Sequence, residues 1–161
     1  MRLSNLVRPA RWRDGLLMWL ARSLRPYLAR TPLYWGDGSN VKIGKNVHLV
    51  DTILNSRSGR IVIEDDVFFG HGVMLLTGSH DMRVTGSKRH SSVPEEGRDI
   101  RIGRGAWIAS NVVVVGPCEI GEDAVVGAGL VVTGKIEAGH LVVGGARNVS
   151  KPIAFEDPNK K

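Results

Sequence analysis

Two of the five histidines in this 161-residue chain stand where a side chain is free to do chemistry. Residues 77–99 read TGSHDMRVTGSKRHSSVPEEGRD, a polar stretch dense in turn formers that carries His80 and His90. Loops of this length inside a patterned chain are usually functional or disordered. A hydroxyl is a poor nucleophile until a base takes its proton, and imidazole titrates close to neutral pH. Such a base needs its second ring nitrogen held, and Asp81, Glu95 and Glu96 are the carboxylates close enough in sequence to try. His48 and His71 fall at outward positions of patterned segments and read as surface histidines, while His140 lies beyond the loop. His71, His80 and His90 are too scattered for a zinc ligand set, so no metal is expected. Cys118 is the only cysteine, which excludes an intrachain disulfide.

What must position these residues is a repeat. From Ile102 to Val143 the chain reads in sixes: IGRGAW, IASNVV, VVGPCE, IGEDAV, VGAGLV, VTGKIE, AGHLVV. The first letters (Ile102, Ile108, Val114, Ile120, Val126, Val132, Ala138) are all aliphatic. The fifth letters (Ala106, Val112, Cys118, Ala124, Leu130, Ile136, Val142) are all small or apolar, which makes Cys118 a core residue. A fixed period of six suits neither a helix nor a long strand, but it suits short strands joined by tight corners. The two apolar letters, two residues apart, point the same way and fill the inside of a prism. The phase predicts Ile102, Val112, Ile120, Leu130 and Val132 inside, with Arg104, Glu122 and Lys135 outside. The same pattern starts at Val41 with Ile43 and Leu49 as first letters, and Val41, Val47 and Ile53 as their inward companions. It breaks at 55–60, resumes with Ile63, Phe69 and Leu75, and breaks again over 77–99.

Charge is concentrated at the start. Residues 1–30 hold seven arginines and one acid, Asp14, which accounts for the whole net charge of +6. The remaining residues balance at zero and carry no nucleic-acid motif, so no nucleic-acid partner is expected. Residues 10–25 read as an amphipathic helix with Trp12, Leu16, Leu20, Leu24 and Leu28 in a row, and Pro26 should end or kink it. That row either packs on the coil or a neighbouring subunit, or rests on an anionic membrane. No run is long and apolar enough for a membrane span, and no clean signal peptide precedes the helix, so a cytoplasmic setting is the default.

The hexads resemble those of the hexapeptide-repeat acyltransferases, in which three hexads make one triangular coil of a left-handed parallel β-helix. The loop narrows the resemblance to the sugar and xenobiotic O-acetyltransferase branch. That branch ejects a loop opening with a Thr/Ser-x-x-His element, here Thr77-Gly78-Ser79-His80, followed by a Trp hexad, here Ala106-Trp107-Ile108. Gly127-Ala128-Gly129, Val132-Thr133 and Val142-Val143-Gly144-Gly145-Ala146-Arg147 also match, so the likeness covers roughly residues 40–151. One departure is Thr133-Gly134, where relatives carry Thr-Lys; Lys135, one place on, is the expected substitute.

The resemblance implies an all-β fold with an N-terminal α-helix, acetyl-CoA as acyl donor and a homotrimer with its active sites between subunits. It places His80 as general base with Glu95 as its support, and Asn55 and Asp81 toward the acceptor. It places Trp107, Ala109, Ser110 and Ala128 along the pantetheine arm, the Ser110 N–H serving the thioester oxygen, and Thr133, Lys135, Arg147 and Lys151 near the nucleotide phosphates. The expected organisation is a basic helix and lead-in loop over 1–40, a β-helix over 41–151 with the loop at about 77–99, and a tail over 152–161. The acceptor expected is a sugar or polysaccharide-precursor hydroxyl. The alternatives are the amine of a nucleotide-linked sugar, or no catalysis at all in a scaffold subunit.

Overall fold

The structure, a computed structural model, describes residues 10–28, 31–144 and 149–152. Arg147 and the tail beyond Pro152 lie outside the described residues. Helix α1 (Ala10–Leu28) leads into strands β1 (Leu33–Trp35), β2 (Val41–Ile43), β3 (Ile53–Asn55), β4 (Ile61–Ile63), β5 (Phe68–Phe69) and β6 (Met74–Leu76). After the loop and its single helical turn α2 (Lys88–Ser91) come β7 (Ile100–Ile102), β8 (Trp107–Ile108), β9 (Val113–Ile120), β10 (Val125–Val126), β11 (Val131–Ile136), β12 (His140–Val143) and β13 (Val149–Pro152).

The strands stack into three sides of a prism, a left-handed parallel β-helix. The first side carries β2, β4, β7 and the ends of β9 and β11; the second carries β5, β8, β10 and β12; the third carries β1, β3, β6 and the starts of β9 and β11. Pairing is parallel throughout except where β13 runs antiparallel to β12. Ile102 opposes Ile120, Trp107 opposes Val125 and Val114 opposes Val132, so one coil takes three hexads. Successive coils therefore climb by about 4.8 Å, the spacing of paired strands.

The inward letters close the core as the pattern predicts. Ile102, Val112, Ile120, Leu130 and Val132 are buried, and Arg104, Glu122 and Lys135 are exposed. Each fully buried aliphatic side chain contributes about 1.5–3 kcal/mol. The corners need backbone that most residues resist. Asn46, Asp66 and Asp123 take φ of 53°, 61° and 52° at one corner, where Gly105 takes 70° in the intervening coil. Asn and Asp tolerate this left-handed region better than other side chains, and glycine adopts it freely.

Four details differ from the sequence reading. The first rung is β1, paired with β3 from Leu33 to Trp35, so the coil begins before Val41. The segment from His48 to Ile53 is one residue shorter than its partner from Phe68 to Met74, so Leu54 rather than Ile53 turns inward. A one-residue slip exchanges the faces of a strand. The hexad phase also slips by two near the end: Val132 pairs with Val114 but Gly134 pairs with Cys118, an abrupt turn carried by Gly134 at φ 74°. Ile136 then takes the place beside Ile120, and Ala138 moves outside. Helix α1 also runs two residues past Pro26, and the Thr31 hydroxyl donates to the Tyr27 carbonyl (3.2 Å), supplying one partner that a helix end lacks. Within its apolar row Leu16, Leu20 and Leu24 are exposed, at 50%, 38% and 49%.

Candidate active site

The corner between the third and first sides is where the prism opens. The chain leaves it twice, over 56–60 between β3 and β4 and over 77–99 between β6 and β7. Thr77 anchors both excursions. It is fully buried; its N–H (2.9 Å) and hydroxyl (2.8 Å) both donate to the Asn55 carbonyl, and its Oγ1 accepts from the Ser58 N–H (3.1 Å). Its own carbonyl accepts from Arg98 Nε (2.7 Å), which ties the start of the loop to its end. The Arg98 backbone passes between two glycines. A Cβ on Gly59 would stand 2.6 Å from the Arg98 carbonyl carbon, and one on Gly116 would stand 2.0 Å from its oxygen.

This anchoring delivers His80 three residues later. His80 Nδ1 lies 2.8 Å from the Arg89 carbonyl oxygen. A carbonyl can only accept, so in the neutral ring Nδ1 carries the proton and Nε2 the lone pair, the tautomer a general base requires. The loop is closed on itself by the Asp81 N–H to the Ser92 carbonyl (2.9 Å) and by Arg89 Nε to the Val84 carbonyl (2.7 Å). His90 stands beside the base, ring centroids 6.5 Å apart. The expected carboxylate support is not what holds the ring: Glu95 is exposed and Arg89 supplies the contact through its main chain. Asp81 is engaged elsewhere. Both its oxygens receive Arg83, from Nε and Nη2 at 2.9 Å each, and those bonds hold its carboxyl down to about 2.

Beside His80 is a cleft of about 270 Å³ lined by Trp35, Asn55, Arg57, Gly78, Ser79 and Val93. The structure thus brings Asn55 beside His80, the two residues that the family resemblance sets near the acceptor. Its Oδ1 accepts from the Arg57 N–H (3.1 Å), which leaves its NH₂ group to donate elsewhere. Gly78 has to be small here, because an added Cβ would meet the Asn55 amide at 2.6 Å. Trp35 and Arg57 escaped the sequence reading. Each reaches the cleft only through the stacking of β1 on β3 and the short excursion at 56–60, which no motif announces.

The remaining predicted residues sit elsewhere on this chain. Trp107 lies on the second side, 44% exposed and stacked on Phe68 (5.6 Å between centroids, 15° between planes). Ser110 turns the corner between the second and third sides; its hydroxyl accepts from the His71 N–H (3.2 Å) and its carbonyl from the Gly129 N–H (2.9 Å). Its own N–H meets no acceptor among the described residues. Ala128 is exposed at the same corner, whereas Ala109 is buried. Thr133 donates to the Pro117 carbonyl (3.3 Å), and Lys135 pairs with Glu137 (3.0 Å) on the first side. That side has a wider groove of about 650 Å³ past Arg60, Arg101 and Lys135, but it holds no histidine. Lys151 is on β13, its backbone opposite Leu141. Cys118 is buried and its thiol is pushed up to about 11 by that burial, which removes it as a nucleophile.

The profile of the bacterial transferase hexapeptide family (six repeats) matches residues 99–134. Residues 99–134 therefore carry the hexapeptide repeat that this family model describes. It is 28% identical over 95 residues to a Saccharomyces cerevisiae protein named as a candidate acetyltransferase, a match covering 59% of this chain and 47% of the relative. The match therefore spans about half the length of that curated relative. Among solved structures, a maltose O-acetyltransferase from Clostridium difficile 630 shares its fold with a TM-score of 0.59 and 22% identity, over 94% of this chain and 81% of the other. A hexapeptide-repeat acetyltransferase from Vibrio cholerae, solved with acetyl coenzyme A, has a TM-score of 0.62 and 19% identity over 92% and 93% of the two chains. At these identities the structural likeness speaks for the fold.

Proposed function

We propose that this hexapeptide-repeat protein moves an acetyl group from acetyl-CoA to a hydroxyl of a sugar or polysaccharide precursor, with His80 as general base. The observation that carries the reading is the 2.8 Å contact from His80 Nδ1 to the Arg89 carbonyl, which in the neutral ring puts the lone pair on Nε2, beside the Asn55 cleft. In the transfer, Nε2 takes the acceptor's hydroxyl proton, the hydroxyl oxygen bonds to the acetyl carbon, the C–S bond breaks, and the proton goes on to the leaving thiolate. The acyl donor's oxygen needs a fixed N–H, and the uncommitted amide of Ser110 suits it.

Trp107 lies on the side across the prism from the corner that ejects the His80 loop, and Ser110 at the neighbouring corner, so one chain holds two half-sites. A threefold assembly completes the site by bringing one subunit's loop to its neighbour's Trp107–Ser110 corner. Lys135, Arg147 and Lys151 are the cations we assign to the nucleotide phosphates. The test is acetyl transfer to a saccharide panel. His80→Ala should lose about 100-fold or more while staying folded, and mixing it with a Ser110→Pro chain should restore part of the activity. Wild-type transfer rates in His80→Ala would remove the base, and failure of the mixture to recover would place the whole site in one chain.

We also assign α1 to an anionic membrane surface, where such an enzyme would meet lipid-linked acceptors. No described helix is long and apolar enough to cross a membrane, but α1 leaves Leu16, Leu20 and Leu24 exposed, and the sequence of residues 1–30 holds the chain's net charge. Each basic residue near such a surface adds about 1 kcal/mol. Sedimentation with vesicles rich in phosphatidylglycerol should capture the protein at low salt, lose it at high salt, and fail once residues 1–30 are deleted. No capture at low salt would assign the row to a neighbouring subunit.

A further inference from the structure

The cleft beside His80 has a charge as well as a shape. Arg57 lines it, and among the described residues the Arg57 guanidinium has no carboxylate partner. Its neighbours in the loop are different. Arg83 is spent on Asp81, and Arg98 is spent on the Thr77 carbonyl. Farther along the prism Arg101, Arg104 and Lys135 are paired with Glu64, Glu122 and Glu137. Arg57 is also held in place. Its N–H is fixed to Asn55 Oδ1 (3.1 Å), and the Gly36 turn packs against its backbone, where an added Cβ would lie 3.0 Å from the Arg57 nitrogen.

The other groups around the cleft fit the same reading. With Asn55 Oδ1 occupied, the side-chain amide presents its NH₂ donors. The side-chain acceptors left open are His80 Nε2, which the base role claims, and the Ser79 hydroxyl oxygen, whose proton goes to the His80 carbonyl (3.3 Å). Trp35, 66% exposed, gives an apolar plane of the kind a sugar ring covers. Among the described residues no carboxylate lines the cleft. A donor-rich cleft with an unneutralised cation and no acid selects for negative charge. It selects against an ammonium group, which is the resting form of an amino-sugar nucleophile.

We infer that the acceptor is an acidic saccharide whose carboxylate or phosphate is held by Arg57 while its hydroxyl faces His80. This inference rests on the transferase reading above and narrows its substrate class. The experiment uses the intact protein, acetyl-CoA and matched acceptor sets: methyl hexosides, the corresponding methyl hexuronides, and the hexose 1-phosphates. Wild type should prefer one acidic set over the neutral set by about tenfold or more in kcat/KM, since a single charge-assisted contact is worth roughly that factor. The two acidic arms distinguish a carboxylate on the ring from a phosphate at the anomeric carbon. Arg57→Gln should raise KM for the preferred acidic acceptor and collapse the preference, Arg57→Lys should retain part of it, and Lys42→Gln, an exposed cation on β2, should leave it unchanged. Equal use of neutral and acidic acceptors, or a preference that survives Arg57→Gln, overturns the inference while leaving His80-dependent transfer standing. Loss of transfer to every set only in His80→Ala, with no acidic preference in wild type, has the same meaning. Absence of transfer to all three sets in wild type overturns the saccharide class itself.

Discussion

The coils from Ile100 onward and the coils before it are built on one plan and filled differently. In the later coils every inward position is aliphatic or small, from Ile102 and Ala106 through Val126 and Val132. In the earlier coils the interior turns polar at the ends of the third side: Thr52 is buried where β3 begins, and Ser56, Ser58 and Thr77 are buried at the open corner beyond β3 and β6. Three of these four hydroxyls have recorded partners: Thr52 donates to the Val50 carbonyl, Ser56 to the Asp37 carbonyl, and Thr77 to the Asn55 carbonyl. Ser58 Oγ has none among the described residues. The difference teaches where this fold carries chemistry. A repeat that satisfies itself has no atoms to spare, whereas a corner that is forced open must hold its strands with side chains, and those side chains can also hold a loop.

The contrast can be broken from either end. Ile108→Ala, in the regular coils, should cost about 2–5 kcal/mol in denaturant unfolding at fixed protein concentration, with the activity per folded molecule kept. A folded but inactive Ile108→Ala protein would mean that the later coils also tune the base. Thr77→Val at the open corner should cost less, about 1–3 kcal/mol, because the Ser58 N–H and one Asn55 lone pair lose a partner. It should also lower kcat, since the loop loses its stem; unchanged kcat would separate the anchor from the site. Gly116→Ala should act on the loop as well as on stability, because its new methyl group must displace the Arg98 carbonyl that it would approach at 2.0 Å. A misplacement of this kind can cost up to about 100-fold in rate, read as kcat at saturating acetyl-CoA.

The smallest effect is electrostatic. Asp81 binds its proton at about 2 in the folded protein against an ordinary value of 3.8, chiefly through hydrogen bonds from Arg83. A carboxylate with a depressed folded pKa contributes stability that is complete above 3.8 and is lost as pH falls toward 2. Carboxyl NMR should therefore find a midpoint near 2 that rises toward 3.8 in Arg83→Gln. An unmoved midpoint would show that the pair does not form in solution.

Much of this was legible from letters alone, because a repeat states its rule many times. The phase from Ile102 to Val132 predicts burial correctly at each position tested, and the loop bounds at 77–99 follow from where the phase fails. The slip at Gly134 was hidden because Val132 and Ile136 are apolar in either register, while the ladder is chosen by backbone hydrogen bonds. Strand β1 was hidden because Leu33-Tyr34-Trp35 occurs once and its partner lies 20 residues away at Ile53. His80 stood out by its setting in a polar stretch. What orients it did not, because the sequence names side chains and the group in question is a main-chain oxygen.

That oxygen has a consequence for how the protein can change over generations. Every amino acid brings a carbonyl, so no substitution of the Arg89 side chain deletes the group that fixes the tautomer of His80. The loop between them can drift in composition while the base keeps its proton on the correct nitrogen. It cannot drift in length. Removing or adding one residue between His80 and Arg89 shifts the carbonyl out of register, so the loop should tolerate replacement far better than insertion or deletion.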